Sequence, residues 1–167
     1  SRGSSRIDII FDVYRTYSTK HSERSGRCNT GTGGITVSIK DEKQNLPVNM
    51  DLFWDSMENK SQLQMFFMNW MSRNYKGRRE LYFGGVDDRY CIAVKGGIRE
   101  VCEDLHSTQE EADERIALHI QHGYQNGYKN LLVKSADTDV FVLLLFHLQC
   151  SWDKMETLYM TLGNQGS

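Results

Sequence analysis

The sequence predicts an α/β fold with a mostly parallel central sheet flanked by helices. Three observations lead there. "IDIIFDVY" (7–14) is rich in β-branched and aromatic residues and apolar on both faces, as a central strand of a parallel sheet reads. "STQEEADERIALHIQHGYQNGY" (107–128) carries apolar residues at helical spacing. The overall order is strand, long excursion, helix, strand, helix, strand, the rhythm of α/β domains.

Taken in order, the first strand carries Asp12 near its C-terminal end. "RTYSTKHSERSGRCNTGTGG" (15–34) is polar, basic and rich in Ser and Gly, which predicts a flexible basic loop. Its "GTGG" is not a phosphate-binding P-loop, because no Lys-Ser/Thr pair follows. "ITVSI" (35–39) predicts a short strand. Beyond Pro47, the Met and aromatic residues of "NMDLFWDSMENKSQLQMFFMNWMSRN" recur at helical spacing. They predict two helices jointed at "NKS", with Asn49 or Ser61 as N-cap and the stripe serving as core.

"ELYFGGVDDRYCIAVKGGIREV" (80–101) predicts a strand and a hairpin around its Gly pairs. In the 107–128 helix, Ser107 or Thr108 is the expected cap, with Glu110 or Glu111 three residues on. Ile116, Ile120 and Tyr124 form its inward stripe, and Gly123 or Gly127 its end. "NLLVKS" (130–135) reads as a strand, "TDVFVLLLFHLQ" as the helix after it, and "ETLYMTLG" (156–163) as the last strand. A run as apolar as Val140 to Phe146 predicts burial.

The chain has 167 residues, which suits a single domain spanning 1–167 with a full core. Its hydrophobic fraction of 39% excludes a disordered class. A net charge of −2 advertises no general affinity for nucleic acid, so any such partner must be held by a local patch. The longest apolar run is too short for a bilayer, which predicts no membrane partner. Cys28, Cys91, Cys102 and Cys150 are scattered without a C-x-x-C pair. That pattern, with no signal-like opening, predicts an intracellular protein with free thiols, nuclear or cytoplasmic. A zinc site using Cys91, Cys102, His106 and His119 or His122 matches no common ligand spacing. His119 and His122 are expected at the helix surface or the core edge.

Functional residues of α/β sheets gather beyond the carboxyl ends of the strands. Asp12 and Asp137 hold that position in two strands, and Glu110, Glu111 and Asp113 begin a helix on an adjoining loop. At about 100° per residue Glu110 and Asp113 share a helix face. Several carboxylates in one cleft repel by roughly 4 kcal/mol per pair at 4 Å and an effective dielectric near 20. They need a counter-ion, and magnesium or manganese, hard cations preferring oxygen ligands, is the natural one. The bland alternative stays open: Asp137 or Thr138 caps the following helix, and acids in a first turn answer the macrodipole.

"FD" (11–12), "EEAD" (110–113) and "SADTD" (135–139), in that order, resemble the motifs of the PIN-like and flap-endonuclease-like nuclease superfamily. "EEADERIALH" followed by "SADTDVFVLLL" is also similar to uncharacterised, transposon-associated animal proteins. That similarity runs from about Ile7 to Gly163. The resemblance implies that Asp12, Glu111, Asp113, Asp137 and Asp139 bind metal and serve catalysis in a nuclease that uses Mg2+ or Mn2+ to hydrolyse DNA or RNA. It also implies that the segment after the first strand arches over nucleic acid, with Arg15, Lys20, Arg24 and Arg27 on its phosphates. Such nucleases add an acidic loop and a Gly-rich helical segment after the last strand. Neither appears before "GNQGS", so the domain is expected to be truncated at its C-terminus. Two rivals stand beside this reading: a catalytically inactive PIN-like module that binds nucleic acid or protein, and an unrelated α/β domain whose acids are helix caps.

Overall fold

The computed structural model describes residues 4–14, 35–86 and 90–162. It is a mixed α/β structure. The strands are β1 (Arg6–Ile10), β2 (Glu80–Gly84), β3 (Cys91–Lys95), β4 (Ile98–Cys102), β5 (Asn130–Ser135) and β6 (Thr157–Leu162). The helices are α1 (Met50–Asp55), α2 (Met57–Asn74), α3 (Ala112–Gln125) and α4 (Thr138–Cys150), with a single 3₁₀ turn at Glu103–Leu105.

Two sheets form, and parallel pairing does not dominate them. The first runs β1-β2-β3-β4 and the second pairs β5 with β6. β1 lies parallel to β2, with Ile9 opposite Phe83, and β5 lies parallel to β6. The β2/β3 and β3/β4 pairings are antiparallel. The Gly96–Gly97 turn explains the last of these. Both residues have positive φ, +58° and +82°, as a two-residue hairpin matching strand twist requires. Connections this short cannot make a parallel crossover.

Three layers follow from the alternation along these strands. On one face of the four-stranded sheet, Leu81, Phe83, Ile92 and Val94 pack with Met68 of α2, joined by Ile7, Ile9 and Met71. On the other face Tyr82, Cys91 and Ala93 meet Leu105 and Leu118, so α3 covers that side. The second flank of α3 contributes Ile116, Ile120 and Tyr124, the expected stripe, to a further core with Val133, Val140, Leu144 and Trp152. The helix is thus the shared wall between the two sheets.

Several boundaries differ from expectation. Residues 35–39 form no strand; they run beside α2, where Asn59, fully buried, accepts from Val37 N and donates to the Ile35 carbonyl. A side-chain amide has replaced the strand partner. The helical joint falls at Ser56 rather than "NKS", because Ser56 adopts extended dihedrals and its hydroxyl accepts from Asn59 N. Asn49 caps α1 as expected, and Ser61 lies inside α2. The apolar run of α4 is only half covered: Val140 and Leu144 are buried, whereas Phe141, Val142, Leu145 and Phe146 are exposed. No helix among the described residues is long and apolar enough to cross a membrane.

Candidate functional site

Asp12 stands just past the end of β1, and backbone contacts hold it there. Phe11 N donates to the Gly84 carbonyl at 2.9 Å. Beside it Gly85 takes φ +79°, and a Cβ at that residue would lie 2.0 Å from the Phe11 carbonyl oxygen. Only glycine allows so close an approach. The Asp12 carbonyl accepts from Gln64 of α2 at 3.3 Å, which ties the same turn to the helical layer.

The Asp12 carboxylate reaches the start of α3. Ala112 N donates to Asp12 Oδ1 at 2.9 Å, and Val13 N donates to the Glu110 carbonyl at 2.8 Å. The residue at the cap position, Glu111, makes no capping bond with its own side chain. Ser107, expected as the cap, instead accepts from Gln109 N and builds the turn before the helix. An acid from a distant strand therefore caps the helix that bears Glu111 and Asp113. Asp12 is half-buried, as is Asp113, whose Oδ1 accepts from Glu114 N at 2.8 Å, and Glu111 is exposed.

Arg115 holds this turn from beneath. The residue is 2% exposed, and its guanidinium donates to the Gln109 carbonyl at 2.8 Å and the Ser107 carbonyl at 3.3 Å. Sequence reasoning missed it. At about 100° per residue Arg115 shares a helix face with His119 and His122, away from the Ile116 and Ile120 stripe, so the apolar pattern did not flag it.

Asp137 and Asp139 form a second group. Asp137 caps α4, its carboxylate accepting from Asp139 N at 2.9 Å, and Asp139 occupies the first turn. The helix-capping alternative thus describes Asp137 correctly as far as its hydrogen bond goes. Both aspartates are exposed. Arg15, Lys20, Arg24 and Arg27 lie outside the described residues.

All five acids offer the hard oxygen donors that magnesium or manganese prefers. Among the described residues, however, no three or more His, Cys, Asp or Glu side chains form a group that could hold a metal ion. The acids stand as two sets on two helix N-termini, where the positive end of each helix dipole favours them.

The structure also reveals a buried polar network between β1 and α3. Arg6 donates to both oxygens of Asp8, at 2.8 and 2.6 Å, and Asp8 Oδ1 accepts from His119 Nδ1 at 2.7 Å. The guanidinium lies 3.8 Å above the Tyr82 ring and contacts His122 Nδ1 at 2.8 Å. His119 and His122 are buried, more deeply than expected. Cys102 Sγ lies 3.9 Å from His122 Nε2, opposite Cys91 in the strand register. Burial pushes the Cys91 thiol up to about 12, so it remains protonated at neutral pH.

Protonation of this network is coupled to folding. Burial alone would raise the Asp8 carboxyl, but the bonds from His119 and Arg6 hold it below its ordinary value. Burial, and then the Arg6 charge, lower the pKa of His122. Arg6 can only donate, so His122 Nδ1 must accept and the ring must be neutral. Both groups bind fewer protons folded than unfolded. Their stabilisation is complete above the unfolded values and is lost on acidification, His122 first. Thermal melts should therefore show a constant midpoint above pH 7 and a decline beginning near the ordinary histidine value of about 6.5. His122→Gln keeps an acceptor for Arg6 and should flatten that decline. An unchanged pH profile in the variant would remove His122 from the account.

No family model, curated protein or solved structure matches the chain.

Proposed function

We propose that the chain is a PIN-like nuclease domain, hydrolysing phosphodiester bonds of DNA or RNA with divalent metal. One observation carries the reading: Asp12, a hundred residues away in sequence, bonds the first turn of the helix bearing Glu111 and Asp113. The order of motifs anticipates that meeting. Asp12, Glu111, Asp113, Asp137 and Asp139 would hold Mg2+ or Mn2+. A bound ion of this kind supplies an activated water and charge to balance the leaving oxygen. The bond from Ala112 N to Asp12 ties the end of β1 to the turn bearing Glu111 and Asp113, and Arg115 holds the residues before that turn.

The acids form no metal-holding group among the described residues, so this reading requires an ion to gather them. Five carboxylates without a counter-ion lower their mutual repulsion by standing apart, each set facing a helix dipole. Manganese should draw them together. It should raise the melting temperature, by about 2.7 kcal/mol of stability at a hundredfold excess over its dissociation constant, and chelator should reverse this. Cleavage of a single-stranded or flapped oligonucleotide should accompany it. No stabilisation by manganese or magnesium would leave the acids as helix caps only.

A second reading has its own support. Phe141, Val142, Leu145 and Phe146 expose an apolar flank of α4, while Leu132 and Tyr159 are exposed on the far face of the second sheet. Patches of this kind are typical of partner-binding faces. Metal stabilisation without cleavage, in this chain and in one extended past residue 167, would favour a non-catalytic binding module.

A further inference from the structure

We infer that a cleft between residues 39–40 and α2 binds single-stranded nucleic acid. The inference goes beyond the nuclease reading, because such a cleft holds a strand whether or not the acids cut it. On α2, Met68 and Met71 face the core, whereas Gln62, Phe66, Asn69 and Arg73 follow at i, i+4, i+7 and i+11 along another stripe. The facing wall is pinned in place. Asn59 holds residues 35 and 37, and Gln62 Oε1 accepts from Ile39 N at 3.2 Å. Between them lies an open cleft of about 540 Å³, whose lining includes Lys40, Phe66, Asn69, Trp70 and Arg73.

The lining itself carries only positive charge. Lys40 and Arg73 are the only charged residues of that lining, and neither joins an ion pair among the described residues. Arg99 of β4 adds a third cation at the rim, donating to Asn69 Oδ1 at 3.0 Å. Three acids adjoin the lining, each holding a hydrogen bond: Asp41 accepts from Lys43 N, Glu58 from the Gln62 amide and Glu42 from the Trp70 indole N–H. That bond orients the indole while the residue stays 39% exposed. Cations from three elements beside a held, exposed aromatic suit phosphates and a stacked base. An acidic peptide would answer the cations but would leave the indole unused.

The test uses the full chain in chelator, so that binding is read without cleavage and independently of the metal proposal. A fluorescently labelled oligothymidylate of about twelve nucleotides, within the span one such surface covers, is titrated by anisotropy at several salt concentrations. The wild type should bind. Trp70→Ala should weaken binding at least about fivefold at unchanged salt slope, and Trp70→Phe, which keeps a ring, should retain most of it. Lys40→Ala with Arg73→Ala should weaken binding and reduce the log–log salt slope by about 1.4, two phosphate contacts on a single strand. Melting curves establish that each variant is folded. Absence of wild-type binding at low salt would overturn the inference. So would full affinity in the Lys40→Ala, Arg73→Ala variant, or equal affinity for polyglutamate of the same length.

Discussion

Asp8→Ala is expected to destabilise the protein by about 3–5 kcal/mol, the usual cost of breaking a buried ion pair from one side. The Arg6 side chain is 5% exposed, and Asp8 is its only carboxylate partner among the described residues. Removing Asp8 leaves a guanidinium between Tyr82 and His122 with nothing to balance it, and strips His119 of its acceptor. Urea unfolding measures the loss. The double change Arg6→Met, Asp8→Leu should recover much of it, because apolar groups of similar size leave no buried charge uncompensated. A loss under about 1 kcal/mol for Asp8→Ala, the value of an exposed pair, would mean that Arg6 finds water in the variant.

Asp12→Asn should separate the cap that Asp12 provides from the metal role proposed for it. Its Oδ1 caps α3 by accepting from Ala112 N, and asparagine does this equally well. The melting temperature should therefore hardly move. On the proposed nuclease reading, metal binding and cleavage would require the charge, and both should fall by at least about a hundredfold, beyond the cost of losing a residue that merely supports a ligand. Asp12→Ala should lose the cap as well, at about 1 kcal/mol. Asp137→Asn should behave like Asp12→Asn, since Asp137 also caps a helix. Asp139 donates only its backbone N–H to that cap, so Asp139→Asn should abolish cleavage without unfolding the domain. Full metal affinity and activity in Asp12→Asn would reduce Asp12 to its structural bond.

The exposed half of α4 illustrates a limit of reading apolar content. Val140 through Phe146 wrap the whole helix circumference, and burial follows only for the stripe that meets α3 and β6. Composition states that a face is apolar; the neighbouring elements decide whether it is covered.

What the sequence by itself determined was local. The glycine pair at 96–97 dictated a hairpin and the spacing of Ile116, Ile120 and Tyr124 an amphipathic helix, because each rests on atoms a few residues apart, while Asp137 as a cap was one of two readings left open. The acids of the candidate site were legible too, as types and in order. Tertiary structure decided their partners. Ser107 or Thr108 was the expected cap of α3, yet Asp12 bonds its first N–H, because β1 ends beside that helix and an unpaired N–H takes whichever acceptor the fold delivers. The same holds for Arg6, Asp8, His119 and His122. In the chain they are two polar residues on a strand and two on a helix; only the packing of α3 against β1 makes them one buried network. Hydrogen-bond capacity is written in each residue, but its use depends on which strand and helix are brought within 3 Å.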